Sequence, residues 1–366
     1  MTTTLRVLCW DHPRCTGPMT AAAAAYRAVH PEVVVRCGVR PLALFNDQPP
    51  WDVPDGYDLL VVDHPMTGAA AARDALVALD AVLPPQRLDR IAAESLGHDA
   101  YAWAGHQWAF SIDAACQVAA LRADRLEVAP RTWDDVLELA RRTPGAVALP
   151  LVPADALCTL ISLSANAALA AGDPLPHWLR PEAVEFLVEL ARLVTPASFE
   201  LTPPLLLELM ARDGAVVYAP FVFGYAVAAR PPLAFADVPG VDGRPFGAIL
   251  GGAGLAVLPG SPNVAAAAEF AAWCMGAEVQ RTALLAAGGQ PGHWAVWDDP
   301  ASGDFFRATR QSLAHAYVRP RDAWWPAFHR TAGLLLAESL RSGEAPASIH
   351  SRLAALADRH RAGVPA

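Results

Sequence analysis

The sequence predicts an α/β protein built from two lobes. Its 366 residues are 54% hydrophobic and 18% charged, which is typical of a folded globular protein that is too long for one ordinary core. The apolar runs at 5–10 and 32–37 read as strands, and the segment 19–29 between them has helical composition. A strand, a helix and a second strand in this order predict parallel pairing, and the same alternation continues along the chain.

The remaining elements follow from local patterns. A strand over 57–62 breaks at Asp63-His64-Pro65 and leads into an alanine-rich helix predicted over 69–79. A hairpin is predicted over 101–112 around Gly105. A helix begins after Thr132, whose hydroxyl is a good N-cap, with two aspartates in the first turn. The later predictions are strands at 146–151, 215–218 and 247–257, and helices at 181–193, 204–212, 263–275, 278–287, 328–342 and 347–360.

Composition excludes several function classes. All 28 basic residues are arginine, so Schiff-base chemistry, pyridoxal phosphate attachment and the lysine-containing phosphate loop are ruled out. The formal net charge of −9 disfavours nucleic acid and anionic membranes, which require basic patches. The uncharged stretch 245–268 is interrupted by glycine and proline, so we expect no membrane insertion.

The cysteines and the N-terminal residues indicate in which cellular compartment the protein is expected. The six cysteines form no C-x-x-C pair, which predicts buried free thiols rather than disulfides or a zinc site. The chain runs from Met1 straight into a strand without a basic region or an apolar leader. As written it is expected in the cytoplasm, and in the periplasm or outside the cell if a leader has been removed.

The order of motifs resembles type II periplasmic solute-binding proteins of the carbohydrate-binding class, similar to the maltose-binding family. The likeness covers nearly the whole chain, and its most specific element is Pro-x-Thr-Trp-Asp-Asp. The residues that carry it are Val7-Leu-Cys-Trp-Asp-His, Gly56-Tyr-Asp-Leu-Leu-Val-Val, Gly105-His-Gln-Trp-Ala-Phe-Ser-Ile-Asp, Pro130-Arg-Thr-Trp-Asp-Asp-Val, Gly251-Gly-Ala-Gly-Leu-Ala-Val, Glu269-Phe-Ala-Ala-Trp and Gly288-Gly-Gln-Pro-Gly.

This resemblance implies two α/β lobes with a ligand cleft between them and a hinge that closes over the ligand. Lobe one would comprise 1–111 and 247–315, and lobe two 112–246 and 316–366. The implied function is capture of a small polar molecule, sugar-like or anionic, for an ABC transporter. The implied partners are the small-molecule ligand and an ABC permease. A monomer without cofactor, metal or catalytic residues is expected.

Two Asp-His-Pro triplets are the first candidate site. In open α/β sheets ligands lie beyond the carboxyl ends of the strands, which places Trp10, Asp11, His12 and Arg14 after the first strand, and Asp63 and His64 after the third. These side chains could bind sugar-like hydroxyls, act as acids and bases, or ligate a metal. Alternatively, each aspartate caps a turn and each histidine packs nearby.

The resemblance adds further candidates. It implies aromatic walls at Phe221 and Tyr225 after a lobe-two strand, and at Trp324 near the late helices. Arg14 and Arg319 could bind a carboxylate or phosphate through their planar guanidinium groups. Asp113 corresponds in place to hinge residues that touch ligand, or alternatively caps a helix from residue 114.

Two other functions stay open at this point. A cytoplasmic enzyme on the same fold would use the paired triplets for acid/base or metal chemistry. A ligand sensor would present its closed form to a protein partner, although the sequence contains no motif for such a partner.

Overall fold

The computed structural model describes residues 2–173 and 178–363 and shows an α/β protein. The chain divides into two compact units. Unit 1 comprises Met1–Ala115, Gly251–Asp304 and Arg319–Pro326, and unit 2 comprises Cys116–Leu250, Phe305–Val318 and Ala327–Ala366. The division differs from the predicted lobes mainly in the last part of the chain, where 305–315 belongs to unit 2 and 319–326 to unit 1.

The strands and helices are numbered in chain order. The strands are β1 Thr3–Trp10, β2 Val33–Arg40, β3 Leu59–Val62, β4 Ala102–Trp103, β5 His106–Gln107, β6 Phe110–Arg122, β7 Tyr218–Phe223, β8 Leu233–Ala236 and β9 Leu250–Val257. The helices are α1 Pro13–Val29, α2 Leu42–Asp47, α3 Thr67–Ala71, α4 Pro85–Glu94, α5 Trp133–Arg142, α6 Pro153–Ala171, α7 Pro181–Leu193, α8 Pro203–Arg212, α9 Val264–Trp273, α10 Ala277–Val279, α11 Trp294–Trp297, α12 Asp304–Ala308, α13 Arg310–Ala314, α14 Trp325–Ser342 and α15 Pro346–Arg361.

Unit 1 is built on the strand order β2-β1-β3-β9. β1 pairs in parallel with β2 over its whole length and with β3 at Val7 and Leu8, and β9 runs antiparallel to β3. The predicted strand, helix and strand at the N-terminus are therefore confirmed. The residues of β3 and the second half of β1 are buried, as expected for strands covered on both faces. Because β1 and β3 are parallel neighbours, their carboxyl ends meet at one edge.

A buried carboxylate holds two loops of unit 1 together. Asp58 is 5% exposed. It accepts hydrogen bonds from the Arg6 amide at 2.8 Å, the Ser261 hydroxyl at 2.5 Å and the Asn263 amide nitrogen at 3.3 Å. The loop before β3 and the loop after β9 are thus fixed to the start of the sheet.

The helix predicted over 69–79 is wrong beyond its first turn. α3 ends at Ala71, and Asp74 adopts a left-handed backbone with φ +50°, which no helix accommodates. The amide of Val77 then donates to the carbonyl of Val257 in β9 at 2.9 Å. A contact with a strand that lies far along the chain therefore replaces the local helix.

The predicted hairpin is confirmed as β4 and β5. Ala104 and Gly105 form its two-residue turn with φ +52° and +82°, the double positive φ that fits the twist of a tight hairpin. β6 follows as a continuous strand, so the alternative helix from residue 114 is wrong. At Ala115 β6 leaves unit 1 and continues into unit 2.

In unit 2, β7 and β8 both pair antiparallel with β6. The strand predicted at 146–151 is wrong, since this segment forms only an isolated parallel bridge between Val147 and Tyr218. The strand predicted at 215–218 begins at Tyr218 and continues to Phe223. α5 starts with the predicted cap: Thr132 and Asp135 bond each other's backbone amides in a capping box.

Helix α6, which the patterns above did not predict, is the central helix of unit 2. It begins with proline and ends at Gly172 in a left-handed cap. Asn166 accepts from the Trp133 indole at 3.0 Å and donates to the carbonyl of Phe246 at 2.7 Å, and Ser162 accepts from the amide of Ile249 at 3.0 Å. Among the described helices it alone is long and apolar enough to cross a membrane, but 67% of that apolar window is buried, as in a core helix.

Replacing Asp58 with Ala should destabilise unit 1. The substitution leaves three donors without their acceptor in a buried place, which costs roughly 1–3 kcal/mol. We expect a lower urea midpoint of unfolding, followed by circular dichroism, whereas Asp55→Ala, at an exposed neighbour, should leave it unchanged. Equal midpoints for the two variants would contradict this role of Asp58.

Candidate functional site

The end of β1 carries the first triplet. Trp10 is 4% exposed, and its ring stacks on His12 with centroids 5.3 Å apart and on Phe45 at 5.4 Å. Asp11 is exposed, and His12 is half-buried. His12 occupies the N-cap of α1, where its Nδ1 accepts from the Arg14 amide at 3.1 Å. The histidine, rather than the aspartate, therefore caps the following helix.

Arg14 and Asp113 form a buried ion pair. Arg14 is 5% exposed, and its guanidinium donates to both carboxylate oxygens of Asp113, with the Nε to Oδ2 bond at 2.9 Å. This bidentate geometry is the strongest form of such a pair. Burial together with the Arg14 charge lowers the pKa of His12, which keeps the imidazole neutral.

A small pocket of about 10 Å³ opens beside this pair, with room for roughly one water molecule. Its polar groups come from Arg14, Asp113 and Gln290, and the rest of the lining is mostly apolar. The sequence singled out Arg14 and Asp113, but it missed Gln290, whose motif Gly288-Gly-Gln-Pro-Gly was the available signal. The complete lining is Trp10, Arg14, Cys15, Pro18, Met19, Val61, Ile112, Asp113, Ala253, Leu284, Gly289 and Gln290.

The second triplet forms a second buried ion pair. The Nη2 of Arg319 lies 3.0 Å from both carboxylate oxygens of Asp63, and the two side chains are 8% and 13% exposed. Burial opposes the charge on Asp63, but the Arg319 guanidinium outweighs it and holds the pKa of the carboxyl well below its usual range. Asp63 is therefore ionised at neutral pH.

His64 is completely buried beside this pair. Its ring meets Tyr101 edge-on, with centroids 6.1 Å apart. Its Nδ1 lies 3.3 Å from Asp63 Oδ1, without the alignment of a hydrogen bond. Burial, reinforced by the Arg319 charge, lowers the pKa of His64 to about 4. An enclosed neutral imidazole is a poor candidate for acid/base work on a ligand.

The segment Arg319–Pro326 of unit 1 carries one further candidate, Trp324. Arg321 donates to the carbonyls of Asp99 and Ala102, the latter at 2.8 Å. Trp324 is half-buried and meets the ring of Trp325 edge-on at 5.4 Å. The segment thus supplies Arg319 for Asp63 and leaves part of the Trp324 surface accessible.

The two candidates of unit 2 are both buried. Phe221 is 1% exposed and packs on Trp133 with ring centroids 4.9 Å apart, so it fills the core of its unit and we leave it out of the proposed site. Tyr225, after the end of β7, is 7% exposed and stays a prediction.

The two triplets follow neighbouring strands as predicted, but their aspartates lie in different environments. Asp11 is exposed and Asp63 is paired in the interior. Within residues 2–173 and 178–363, no group of three histidine, cysteine, aspartate or glutamate side chains is placed to hold a metal ion. We call the polar surface at the carboxyl ends of β1 and β3, with Asp11, His12 and the ion pairs Arg14–Asp113 and Asp63–Arg319, the wall.

The fold and this wall define a two-unit α/β binding protein. The chain belongs to the bacterial extracellular solute-binding protein family, whose sequence profile matches residues 48–293. This confirms the predicted resemblance and the prediction of a solute-binding protein, and supports that function over the enzyme alternative. A comparison with curated protein sequences gave no match.

Solved structures are similar over nearly the whole chain. An ABC transporter solute-binding protein of Thermotoga lettingae with bound α-D-tagatose gives a TM-score of 0.80 at 16% identity, covering 98% of this chain and 100% of that one. The GacH receptor of Streptomyces glaucescens, solved unliganded and with acarbose, gives 0.78 at 16%, covering all of both chains. Maltose-bound MalE3 of T. maritima gives 0.77 at 17%, covering 96% and 98%. These matches confirm the predicted fold class.

His64 should make stability depend on pH. Its pKa is about 4 in the folded protein against about 6.5 when unfolded, so the unfolded chain binds the extra proton between these values. Stability is therefore full above about pH 6.5 and falls as the pH drops toward 4, by on the order of 3 kcal/mol in total.

We expect the loss in urea midpoint between pH 7 and pH 4.5 to be smaller in His64→Gln than in the unmodified protein. His30→Gln serves as the control, because His30 is a half-buried residue directly after α1. This variant should keep the full loss in urea midpoint. An identical pH response of the His64 variant and the unmodified protein would contradict the buried neutral histidine.

Proposed function

We propose that the chain binds a neutral polyhydroxylated molecule, a sugar or a sugar alcohol, at the wall formed by the carboxyl ends of β1 and β3 in unit 1. The observation that supports the proposal is that the positive charges of both arginines at this wall are neutralised by carboxylates. Arg14 is matched by Asp113 and Arg319 by Asp63, each through both carboxylate oxygens. An anionic ligand, the other expectation from the sequence, would have to compete with these carboxylates.

The exposed side chains of the wall are suited to hydrogen bonding with the hydroxyl groups of a ligand. Asp11 presents a carboxylate to solvent directly after β1, and a carboxylate accepts hydrogen bonds from ligand hydroxyls, each worth about 1.5–3 kcal/mol when charged. His12, held neutral by burial and by Arg14, adds an imidazole whose orientation is fixed by its capping bond.

Stacking is assigned to Trp324 rather than to Trp10. The ring of Trp10 is covered by His12 and Phe45 and is 4% exposed, which leaves little face for a sugar. Trp324 is half-buried, and a partly accessible indole offers the flat apolar surface on which pyranose rings pack.

The ligands of the structural neighbours support the same class of molecule. They are α-D-tagatose, acarbose and maltose in the structures described above, and ribitol and D-mannitol in two further ABC transporter solute-binding proteins from Agrobacterium. All are polyhydroxylated. We propose delivery of the bound solute to an ABC permease by a monomer that acts outside the cytoplasm, which cell fractionation and light scattering would test.

Replacing Asp11 with Asn should weaken binding of the best ligand about tenfold, since one charged hydrogen bond is lost. The measurement is isothermal titration calorimetry against maltose, D-tagatose, ribitol and D-mannitol, with gluconate and inorganic phosphate as anionic counterparts. Asp89→Asn, an exposed site on α4, is the matched control and should bind normally.

Three outcomes count against parts of the proposal. Binding confined to the anions would overturn the ligand class. Normal affinity in both Asp11→Asn and Trp324→Ala would remove the wall from the site. A chemical change in any of these compounds on incubation with the protein would restore the enzyme alternative.

A further inference from the structure

The small pocket beside the Arg14–Asp113 pair is lined by a residue whose hydrogen-bond donor has no partner. This residue is Trp10, which is 4% exposed. Its indole Nε1–H is buried and donates to no acceptor in the part of the chain that the structure describes. Buried tryptophans usually bond this group. Three in this chain donate it to a protein oxygen at 2.6 to 3.0 Å: Trp108, Trp133 and Trp297.

The indole of Trp10 is held in one orientation. Its ring stacks on His12 and on Phe45, and its backbone lies opposite Arg40 in the register of β1 and β2. A donor that is fixed in advance loses little conformational entropy when it meets an acceptor, so more of the hydrogen-bond energy appears as affinity.

Asp113 supplies an acceptor to the same pocket. Arg14 donates one bond to each of its carboxylate oxygens, and a carboxylate offers about four acceptor positions, so capacity remains. A bridge to Pro291 fixes the Asp113 backbone. The adjoining Gln290 bonds Ala114 twice, from its side-chain nitrogen at 3.2 Å and through its carbonyl at 2.9 Å. The acceptor is therefore also held in place.

The size of the pocket limits what can enter it. Its volume of about 10 Å³ admits roughly one water-sized group. A single oxygen atom in so small a space lies close to both Trp10 and Asp113. Much of the remaining lining is apolar and offers no partner to a second polar group, as at Met19, Val61, Ile112 and Leu284.

We propose that this pocket receives one hydroxyl group of the bound polyol, which accepts a hydrogen bond from Trp10 Nε1 and donates one to the Asp113 carboxylate. The inference rests on the proposed function and deepens it, because it assigns the recognition of one particular hydroxyl. A hydroxyl both accepts and donates, whereas a carboxylate has no proton to donate and an ammonium has no lone pair to accept with. Trp10 thus contributes through its N–H group, while its faces are covered.

The test combines a variant with altered ligands in isothermal titration calorimetry. The probe is whichever of maltose, D-tagatose, ribitol and D-mannitol binds best, together with its monodeoxy analogues, each of which lacks one hydroxyl. Trp10→Phe keeps an aromatic ring but removes the N–H, and it should weaken binding of the parent compound about fivefold, the equivalent of one ordinary hydrogen bond.

One analogue should behave differently from the others. The analogue without the pocket hydroxyl should bind equally to the unmodified protein and to Trp10→Phe, since the bond that the substitution removes is already missing. Every other analogue should keep the fivefold difference. Trp108→Phe is the matched control, because the N–H of this buried indole is bonded to the carbonyl of Trp103, and it should leave all affinities unchanged.

Incorporation of 3-benzothienylalanine at position 10 separates the N–H from the shape of the side chain. It keeps the bicyclic ring and has sulfur in place of the N–H, so it should reproduce the effects of Trp10→Phe on affinity even where the smaller ring disturbs folding. Circular dichroism and urea unfolding check that each variant is folded.

The outcomes distinguish this inference from the proposed function. If none of the four parent compounds binds to the unmodified protein, the proposed function fails and the inference fails with it. If they bind, but the parent affinity is the same with and without the N–H, the pocket is no part of the site. A loss of equal size for every analogue would show that Trp10 donates to a fixed water and not to the ligand. Either of the last two results leaves the proposed function standing.

Discussion

The two buried ion pairs of unit 1 are the constraint on which the wall at the ends of β1 and β3 depends. Arg14–Asp113 joins α1 to β6 across 99 residues, and Asp63–Arg319 joins the end of β3 to a segment 256 residues later. Removing one partner of a buried pair leaves a charge that costs about 3–5 kcal/mol. Each segment is therefore stable in the interior only when its partner segment is in place, so the wall forms as a whole.

Local patterns in the sequence predict those elements whose stability is local. β1, α1 and β2 follow from hydrophobic periodicity, and α5 follows from its capping box. The helix predicted over 69–79 does not form beyond its first turn, because the amide of Val77 donates to a strand residue 180 positions later. A local sequence pattern carries no information about such a distant contact. α6 was not predicted, although its N-terminal proline and Gly172 are ordinary helix signals, because the helix is buried on all sides from Ala156 to Asn166 and so has no amphipathic pattern.

The place of the candidate site was predictable, but the roles of its residues were not. The rule that ligands lie beyond strand ends selects both Asp-His-Pro triplets, and the parallel pairing of β1 and β3 brings those ends to one edge. What separates Asp11 from Asp63 is Arg319, which reaches only the second. The aspartate of one triplet is thus exposed and that of the other is buried. The difference comes from an arginine that is distant in the sequence.

Charge compensation also bears on which ligands the proposed site would reject. Specificity is a difference of affinities, and an unpaired guanidinium would bind any small carboxylate or phosphate in the medium. Asp113 and Asp63 already pair with the guanidinium groups of Arg14 and Arg319, so an anion at the proposed site would have to displace a fixed carboxylate. A neutral polyol would not carry this penalty and would donate hydrogen bonds to the exposed Asp11 carboxylate. In the proposed function the two aspartates would therefore select against anionic ligands in addition to stabilising the fold.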